Sequence, residues 1–312
     1  MEAHRRSLLS FGLEPPRGPG SRCGQCVNRC EMAEGERGAC GLRVSRSGRV
    51  LPVLHGEAVV DYYFDPLPTN CVAEWVCPAT GPESKGKKNL AVFFSGCTFD
   101  CLFCQNWHHR TGAQEFRPRR SVEQLIEAVD ADTFCVCFFG GDPTPQLEFA
   151  LLACDSMQES EGSSPRLCWE TNGSMSADLA ERMADSSYES QGIIKIDLKA
   201  LNENLHIALC GTSNRNTLSN FSRIARRTSR RPQIVASTLL VPGYVDEHEV
   251  GDIAAFIADI DEDIPYSLLA FHPDYLMTDL PATSRRDALA AEHAARKVGL
   301  SNVRVGNLHL LI

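Results

Sequence analysis

The stretch GCTFDCLFCQNW, residues 96–107, sets Cys97, Cys101 and Cys104 three and then two residues apart. Thiolates are soft donors suited to zinc, copper(I) and iron–sulfur clusters, and a cubic four-iron cluster takes one terminal ligand on each iron. Ferredoxin-type loops supply four cysteines; a loop with three leaves one iron open. An open iron can chelate the amino and carboxylate groups of a small molecule and hold a reactive bond beside a source of electrons. The same three residues also read as buried core cysteines or as part of a zinc site.

Four more thiols lie upstream in CGQCVNRCEMAEGERGACGLR: Cys23, Cys26, Cys30 and Cys40, separated by two, three and nine residues. Thiolates so close, with Gly35, Gly38 and Gly41 to turn the chain, can surround one tetrahedral ion. Three readings stay open for them: a structural zinc, an auxiliary iron–sulfur cluster, and unligated thiols. Cys71 and Cys77, with five residues between them, have a spacing diagnostic of no site and read as packed thiols before spare ligands. Cys135, Cys137, Cys154, Cys168 and Cys210 fall in apolar segments and read as small core residues.

Fourteen cysteines in a 312-residue chain do not describe a disulfide-stapled miniprotein. In a reducing compartment clustered thiols more often hold metal. A net charge of -9 and a pI near 5.5 argue against a broad surface for nucleic acid or anionic membrane, since both need clustered Lys and Arg. The basic runs RRTSRR at 226–231 and KGKK at 85–88 read as solvated helix-end and loop charges. No apolar run approaches the roughly 20 residues of a membrane-spanning helix, and the opening MEAHRRSLLSFGLEPPRGPGS is unlike a secretory signal. The expectation is a cytoplasmic protein.

The thiols need a scaffold, and from residue 89 short apolar runs alternate with amphipathic segments of helical length. Strands are expected at 89–95, 133–139, 166–170, 192–197, 233–241 and 266–271, with a last one at 302–305. Helices are expected near 121–130, 145–158, 176–186, 216–230, 246–260 and 284–298. Repeated βα order implies parallel strands covered by helices. Such strands point the same way, so the segments that follow them (the cysteine loop, GGDPTPQ, TNGS, LKA, PGY and HPDY) emerge at one end, where barrels of this kind carry their active sites. Upstream, residues 1–20 are Pro/Gly-rich and expected to be loosely ordered. Residues 21–60 read as a small cysteine-rich metal-binding module with a hairpin, 61–88 as a connector, and 89–312 as the α/β domain.

Cys-x3-Cys-x2-Cys, with Phe103 before its third cysteine and directly after the first strand of a βα series, resembles the signature of the radical S-adenosylmethionine (SAM) superfamily. The resemblance runs from residue 89 to about 310. It implies an α/β fold, a partial (β/α)6 TIM-type barrel with the cysteine-rich module at its front, in which Cys97, Cys101 and Cys104 ligate a [4Fe–4S] cluster that binds SAM. In that family a Gly-Gly-Glu-Pro stretch meets the methionyl amine; Gly140, Gly141 and Asp142 stand there, with Asp142 in place of the usual Glu. Read without the family, GGDP is a turn after a strand, Asn172 in TNG a capping turn, and Asp197 with Lys199 in DLK a strand-end ion pair. His272 in FHPDY reads as a hydrogen-bonded structural residue. Their order is similar to that in glycyl-radical-enzyme activases such as the pyruvate formate-lyase activating enzyme. By that likeness Phe103, Gly140, Gly141, Asp142, Asn172, Asp197, Lys199 and His272 form the SAM site, Lys199 facing the carboxylate or sulfonium region and His272 the adenosine. His108 and His109 match nothing there and read as a polar loop. The cysteine-rich front segment resembles that of the Memo-associated radical enzymes, a likeness that discloses no substrate.

By the same resemblance, an external donor of flavodoxin or ferredoxin type reduces the cluster, and the carbon–sulfur bond of SAM breaks to methionine and a 5′-deoxyadenosyl radical. That radical takes hydrogen from a substrate, a protein being one candidate. Neither nucleic acid nor membrane is expected as a partner. A glycyl-radical-enzyme activase is the nearest alternative. Outside enzymology the alternatives are a noncatalytic iron–sulfur electron carrier and a zinc-held interaction protein.

Overall fold

In TFCVCFFG, Val136 and Phe138 are wholly buried toward one face and Cys135 and Cys137 lie on the other. That period of two makes the run a strand. The computed structural model describes residues 2–13, 16, 18–69, 71–159, 164–227 and 233–312. Its helices are α1 (Glu2–Ser10), α2 (His109–Glu115), α3 (Val122–Glu127), α4 (Leu147–Glu159), α5 (Ala177–Glu189), α6 (Glu203–Cys210), α7 (Arg215–Arg226), α8 (Glu247–Ala258) and α9 (Arg285–Lys297). Its strands begin with β1 (Ser21–Arg22), β2 (Glu31–Met32), β3 (Arg43–Arg46), β4 (Arg49–Pro52), β5 (Glu57–Pro66), β6 (Lys88–Phe94) and β7 (Arg119–Ser121). They continue with β8 (Thr133–Gly140), β9 (Arg166–Thr171), β10 (Ile194–Asp197), β11 (Ile234–Leu240), β12 (Tyr266–Ala270) and β13 (Val303–Gly306).

Among the described residues one nine-stranded sheet runs in the order β13-β12-β11-β10-β9-β8-β6-β5-β7. From β6 to β13 every neighbouring pair is parallel, while β5 is antiparallel to both β6 and β7. The end strands β7 and β13 do not meet, so the barrel is partial. Its outer face is the apolar one: Phe138 stacks on Trp169 at 4.5 Å, and Leu167, Ile196, Phe221 and Ile253 fill the layer between strands and helices. Burying each such side chain contributes about 1.5–3 kcal/mol. Side-chain caps start several helices: Ser121 and Gln124 form a capping box on α3, Asp246 accepts from His248 and Glu249 on α8, and Ser284 accepts from Asp287 on α9. Each such cap stabilises by about 1 kcal/mol.

The βα order matches the sequence expectation, with differences at the front. Residues 1–20 are not loosely ordered throughout: α1 buries His4 and Ser7 against the loop that carries the three cysteines. Nor does the small module end at residue 60, because β5 crosses that boundary and joins the main sheet. Helices α2 and α6 and strand β7 are additional to the expected set. The basic run at 226–231 is helical at its first residue, and 228–231 lie outside the described residues.

Candidate active site

The turns that leave the carboxyl ends of β6, β8, β9 and β10 surround a cleft with a mixed polar and apolar lining. Cys97, Cys101, Cys104 and Phe103 line one wall; Gly140, Gly141 and Asp142 come from the turn after β8. Asn172 follows β9, and Asp197 and Lys199 end β10. The sequence had scattered these residues over a hundred positions; the parallel topology brings them together.

None of the three motif cysteines forms a disulfide. Burial first, then the charges of Asp142 and Cys101, push Cys97 well up; a hydrogen bond with Cys210 and burial do the same to Cys101. Cys104 is pushed up to about 11, mainly by burial. Buried sulfurs of this kind become thiolates only when a positive centre takes their charge. Among the described residues no three Cys, His, Asp or Glu side chains form a group placed to hold a metal ion, and that includes the motif cysteines.

The carboxylate of Asp142 builds the turn. Its Oδ1 accepts from the Thr144 backbone N–H at 2.8 Å, and its Oδ2 accepts from Asn172 N–H at 2.7 Å and from the Thr171 hydroxyl at 2.9 Å. The turns after β8 and β9 are thereby locked together, which directs Asp142 inward to the protein rather than leaving both oxygens open to a ligand amine. Gly140 and Gly141 are required by close approach: a Cβ on Gly140 would lie 2.6 Å from backbone atoms of Phe94, and one on Gly141 would lie 2.2 Å from the Gly96 carbonyl oxygen. Asn172 is no helix cap; its Nδ2 donates to the Thr98 hydroxyl at 2.8 Å and points toward Cys97 Sγ at 3.6 Å.

Lys199 Nζ sits 2.7 Å from Asp197 Oδ2, and the charges of Asp197 and Cys101 outweigh burial to hold its pKa above the ordinary value. The Phe103 ring centroid lies 6.0 Å from the same Nζ. His272 is elsewhere: its ring donates to the adjacent Pro273 carbonyl at 3.1 Å, and it is not among the residues that line the cleft.

Sequence reasoning missed Arg110 and His109. Both line the cleft, and both are 3% exposed. His109, expected in a polar loop, is held neutral by burial and by the Arg110 charge, which bring it down to about 3. Arg110 pairs with Asp100 through Nη1 and lies over the Phe11 and Tyr275 rings, while its Nε and Nη2 make no hydrogen bond. A buried guanidinium with unmet donors close to Cys104 and Cys97 suits an anionic group beside it. A thiolate-ligated cluster or a substrate carboxylate is such a group, so the residues present fit the iron–sulfur and SAM chemistry that the motif implies. The arginine's place after the motif was visible; its direction was not.

The N-terminal cysteine segment packs against the loops next to this cleft. Gln25 donates to the Thr144 carbonyl and accepts from Ser176 N–H, Asn28 donates to the Thr98 carbonyl, and Cys26 bridges to Met175. Burial and then the charges of Cys40, Cys30 and Cys23 push the Cys26 thiol well up; Cys40 is pushed to about 11. The four thiols therefore lie within electrostatic reach of one another.

The Radical SAM superfamily profile matches residues 91–257, more than half of the 312-residue chain. The chain belongs to the radical SAM superfamily. An uncharacterised protein of Methanocaldococcus jannaschii is 26% identical over 292 residues, 92% of this chain and 81% of that one. The pyruvate formate-lyase 1-activating enzyme of Escherichia coli is 26% identical over 197 residues, 58% of this chain and 75% of its own. The isethionate sulfite-lyase activating enzyme of Desulfovibrio desulfuricans is 32% identical over 190 residues, 57% of each chain. A radical SAM methyltransferase from Sphaerobacter thermophilus shares the fold, with a TM-score of 0.51 and 17% identity over 71% of this chain and 67% of its own. As a radical SAM enzyme the chain uses a [4Fe–4S] cluster and SAM and needs an electron donor. Among the described residues no helix is long and apolar enough to cross a membrane.

Proposed function

We propose that this radical SAM enzyme abstracts hydrogen from its substrate at the cleft, with Cys97, Cys101 and Cys104 as the protein ligands of the cluster. The convergence of those three thiols with Lys199, Asn172 and the Gly140–Gly141 turn on one cleft supports the reading. When bound and reduced, the cluster supplies the electron that splits the carbon–sulfur bond of SAM. Lys199 takes the methionyl carboxylate, because an ammonium repels the sulfonium and attracts the opposite end. Asp197 keeps Lys199 in place. Backbone groups of Gly140 and Gly141 receive the methionyl amine, and the Asp142 carboxylate ties the turn that carries them to the turn after β9. Phe99, Phe103, Leu239 and Leu269 line the cleft with apolar surface that excludes water from a reactive species.

The donor is of flavodoxin or ferredoxin type. The N-terminal quartet Cys23, Cys26, Cys30 and Cys40 holds a metal, zinc in the first reading and an additional iron–sulfur cluster in the second; zinc near one per chain selects the former and iron lost with these cysteines the latter. Activation of a glycyl-radical enzyme is an alternative favoured by the activase names among the relatives. A glycyl radical signal on mixing with a candidate partner tests it. The reading as a whole is tested by anaerobic reconstitution, reduction and chromatography: 5′-deoxyadenosine formed from SAM supports it, and none formed by fully loaded, reduced protein rejects it.

A further inference from the structure

Below the active-site cleft the concave face of the barrel carries five more cysteines around a buried lysine. Cys71, Cys77, Cys135, Cys137, Cys168 and Lys195 line one cavity, separated from the cleft by Glu170, which lines both. Cys137 and Cys168 are register partners on β8 and β9, so the sheet fixes them side by side, about 4.8 Å apart by the usual strand spacing. Cys71 and Cys77 arrive from the segment between β5 and β6, which is pinned inside the barrel: Trp75 donates to the Ser267 hydroxyl at 3.0 Å, and that hydroxyl donates to the Val72 carbonyl at 2.7 Å.

The hydrogen bonds divide these sulfurs. Cys135 acts as a donor, to Asn89 Oδ1 at 3.3 Å. The other four all accept: Cys137 and Cys71 from Lys195 Nζ at 3.0 and 3.4 Å, Cys168 from Ile193 N–H at 3.4 Å, and Cys77 from Ala79 N–H at 3.5 Å. The bond from residue i+2 to Cys77 repeats the one from Phe99 to the motif residue Cys97. Lys195 is 2% exposed, and its nearest carboxylate, Glu170, stands at 3.7 Å. A neutral thiol is a weak acceptor, so an ammonium buried against two of them is poorly compensated unless the sulfurs carry charge.

We infer that Cys71, Cys77, Cys137 and Cys168 are the ligands of a further iron–sulfur cluster inside the barrel, with Lys195 donating hydrogen bonds to its thiolates. A cluster suits four thiols drawn from two neighbouring strands and the connector, because it spreads its ligands over separate irons. Beside the carboxylate that faces Lys195, Glu170 at 3.7 Å, a net negative centre would add charge at hydrogen-bond range. Burial pushes the free thiols of Cys137, Cys168 and Cys77 upward, as it does those of the motif cysteines.

The test uses the full chain reconstituted anaerobically with ferrous iron and sulfide, comparing the parent with C71S/C77S and with C137S. The variants should bind about two to four fewer iron atoms and as many fewer sulfides per chain, the content of one cluster, while the SAM-sensitive electron paramagnetic signal of the cluster at Cys97 persists. C137S, nearly isosteric within the sheet, reports the loss where the double change disturbs the connector. Unchanged iron and sulfide in both variants overturns the inference, as does loss of zinc in their place. Either result leaves the SAM-sensitive signal intact, so failure here is distinct from failure of the active-site reading.

Discussion

Lys199 carries the residue-scale argument for SAM binding, since it is a cleft ammonium held by one carboxylate and kept charged by its anionic neighbours. Charge-assisted hydrogen bonds contribute about 1.5–3 kcal/mol, so K199A should weaken SAM binding by about tenfold to a hundredfold. Equilibrium dialysis on reconstituted protein checks this; an unchanged dissociation constant at unchanged iron content would exclude the assigned contact. Asp142 predicts a different outcome. In D142N one acceptor becomes a donor facing the buried Thr144, Thr171 or Asn172 groups, at a cost of about 1–3 kcal/mol. Urea denaturation of the variant should show that loss, and a midpoint equal to the parent's would deny Asp142 its role in the turn. The Cys-x3-Cys-x2-Cys spacing was legible at this scale because three ligands to one cluster must come from one short loop. Arg110 was not, because an arginine in a polar loop gives no sign that Asp100 and α1 will bury it.

At the scale of elements, α1 is latched to the cysteine loop by His4. Its Nδ1 lies 2.8 Å from Asp100 Oδ2 and its Nε2 lies 2.9 Å from the Ala208 carbonyl, two acceptors that only a doubly protonated ring satisfies. Burial alone would lower the His4 pKa, but the bonds to Asp100 and Ala208 prevail and raise it. A raised folded value means that the contribution to stability is complete below the ordinary value of about 6.5. It is lost as pH climbs through the folded value. Tryptic cleavage at Arg5 and Arg6, normalised to an unstructured reference peptide, should therefore speed up several-fold between pH 6 and pH 9. An equal rate at both, or a faster one at pH 6, would contradict the latch. The order of strands and helices from β6 onward was readable because apolar runs of strand length alternate with helical periodicity. The inner face was not read: Cys135 and Cys137 look like core residues until their alternation with Val136 and Phe138 is assigned to opposite faces. Lys195, a charge within a buried strand, was the available signal.

For the whole molecule, thiols are gathered in three groups: the N-terminal quartet packed against the loops that carry the motif, the motif triplet at the carboxyl ends of the strands, and the group around Lys195 below. The nine-stranded sheet holds the second and third in register, and Asn28 and Gln25 tie the first to the loops of the second. Pairing of β5 with the main sheet makes the front module continuous with the barrel, a link hidden in the sequence because the strand begins in one composition and ends in another. What this arrangement must accomplish is to leave one iron of the motif cluster without a protein ligand. Electron paramagnetic resonance of the reduced, reconstituted chain, recorded before and after SAM is added, measures that directly. A SAM-sensitive [4Fe–4S] component in the parent, and no such component in C97A, C101A and C104A, is the expected result. A parent spectrum indifferent to SAM at saturating concentration would contradict an open iron at this site.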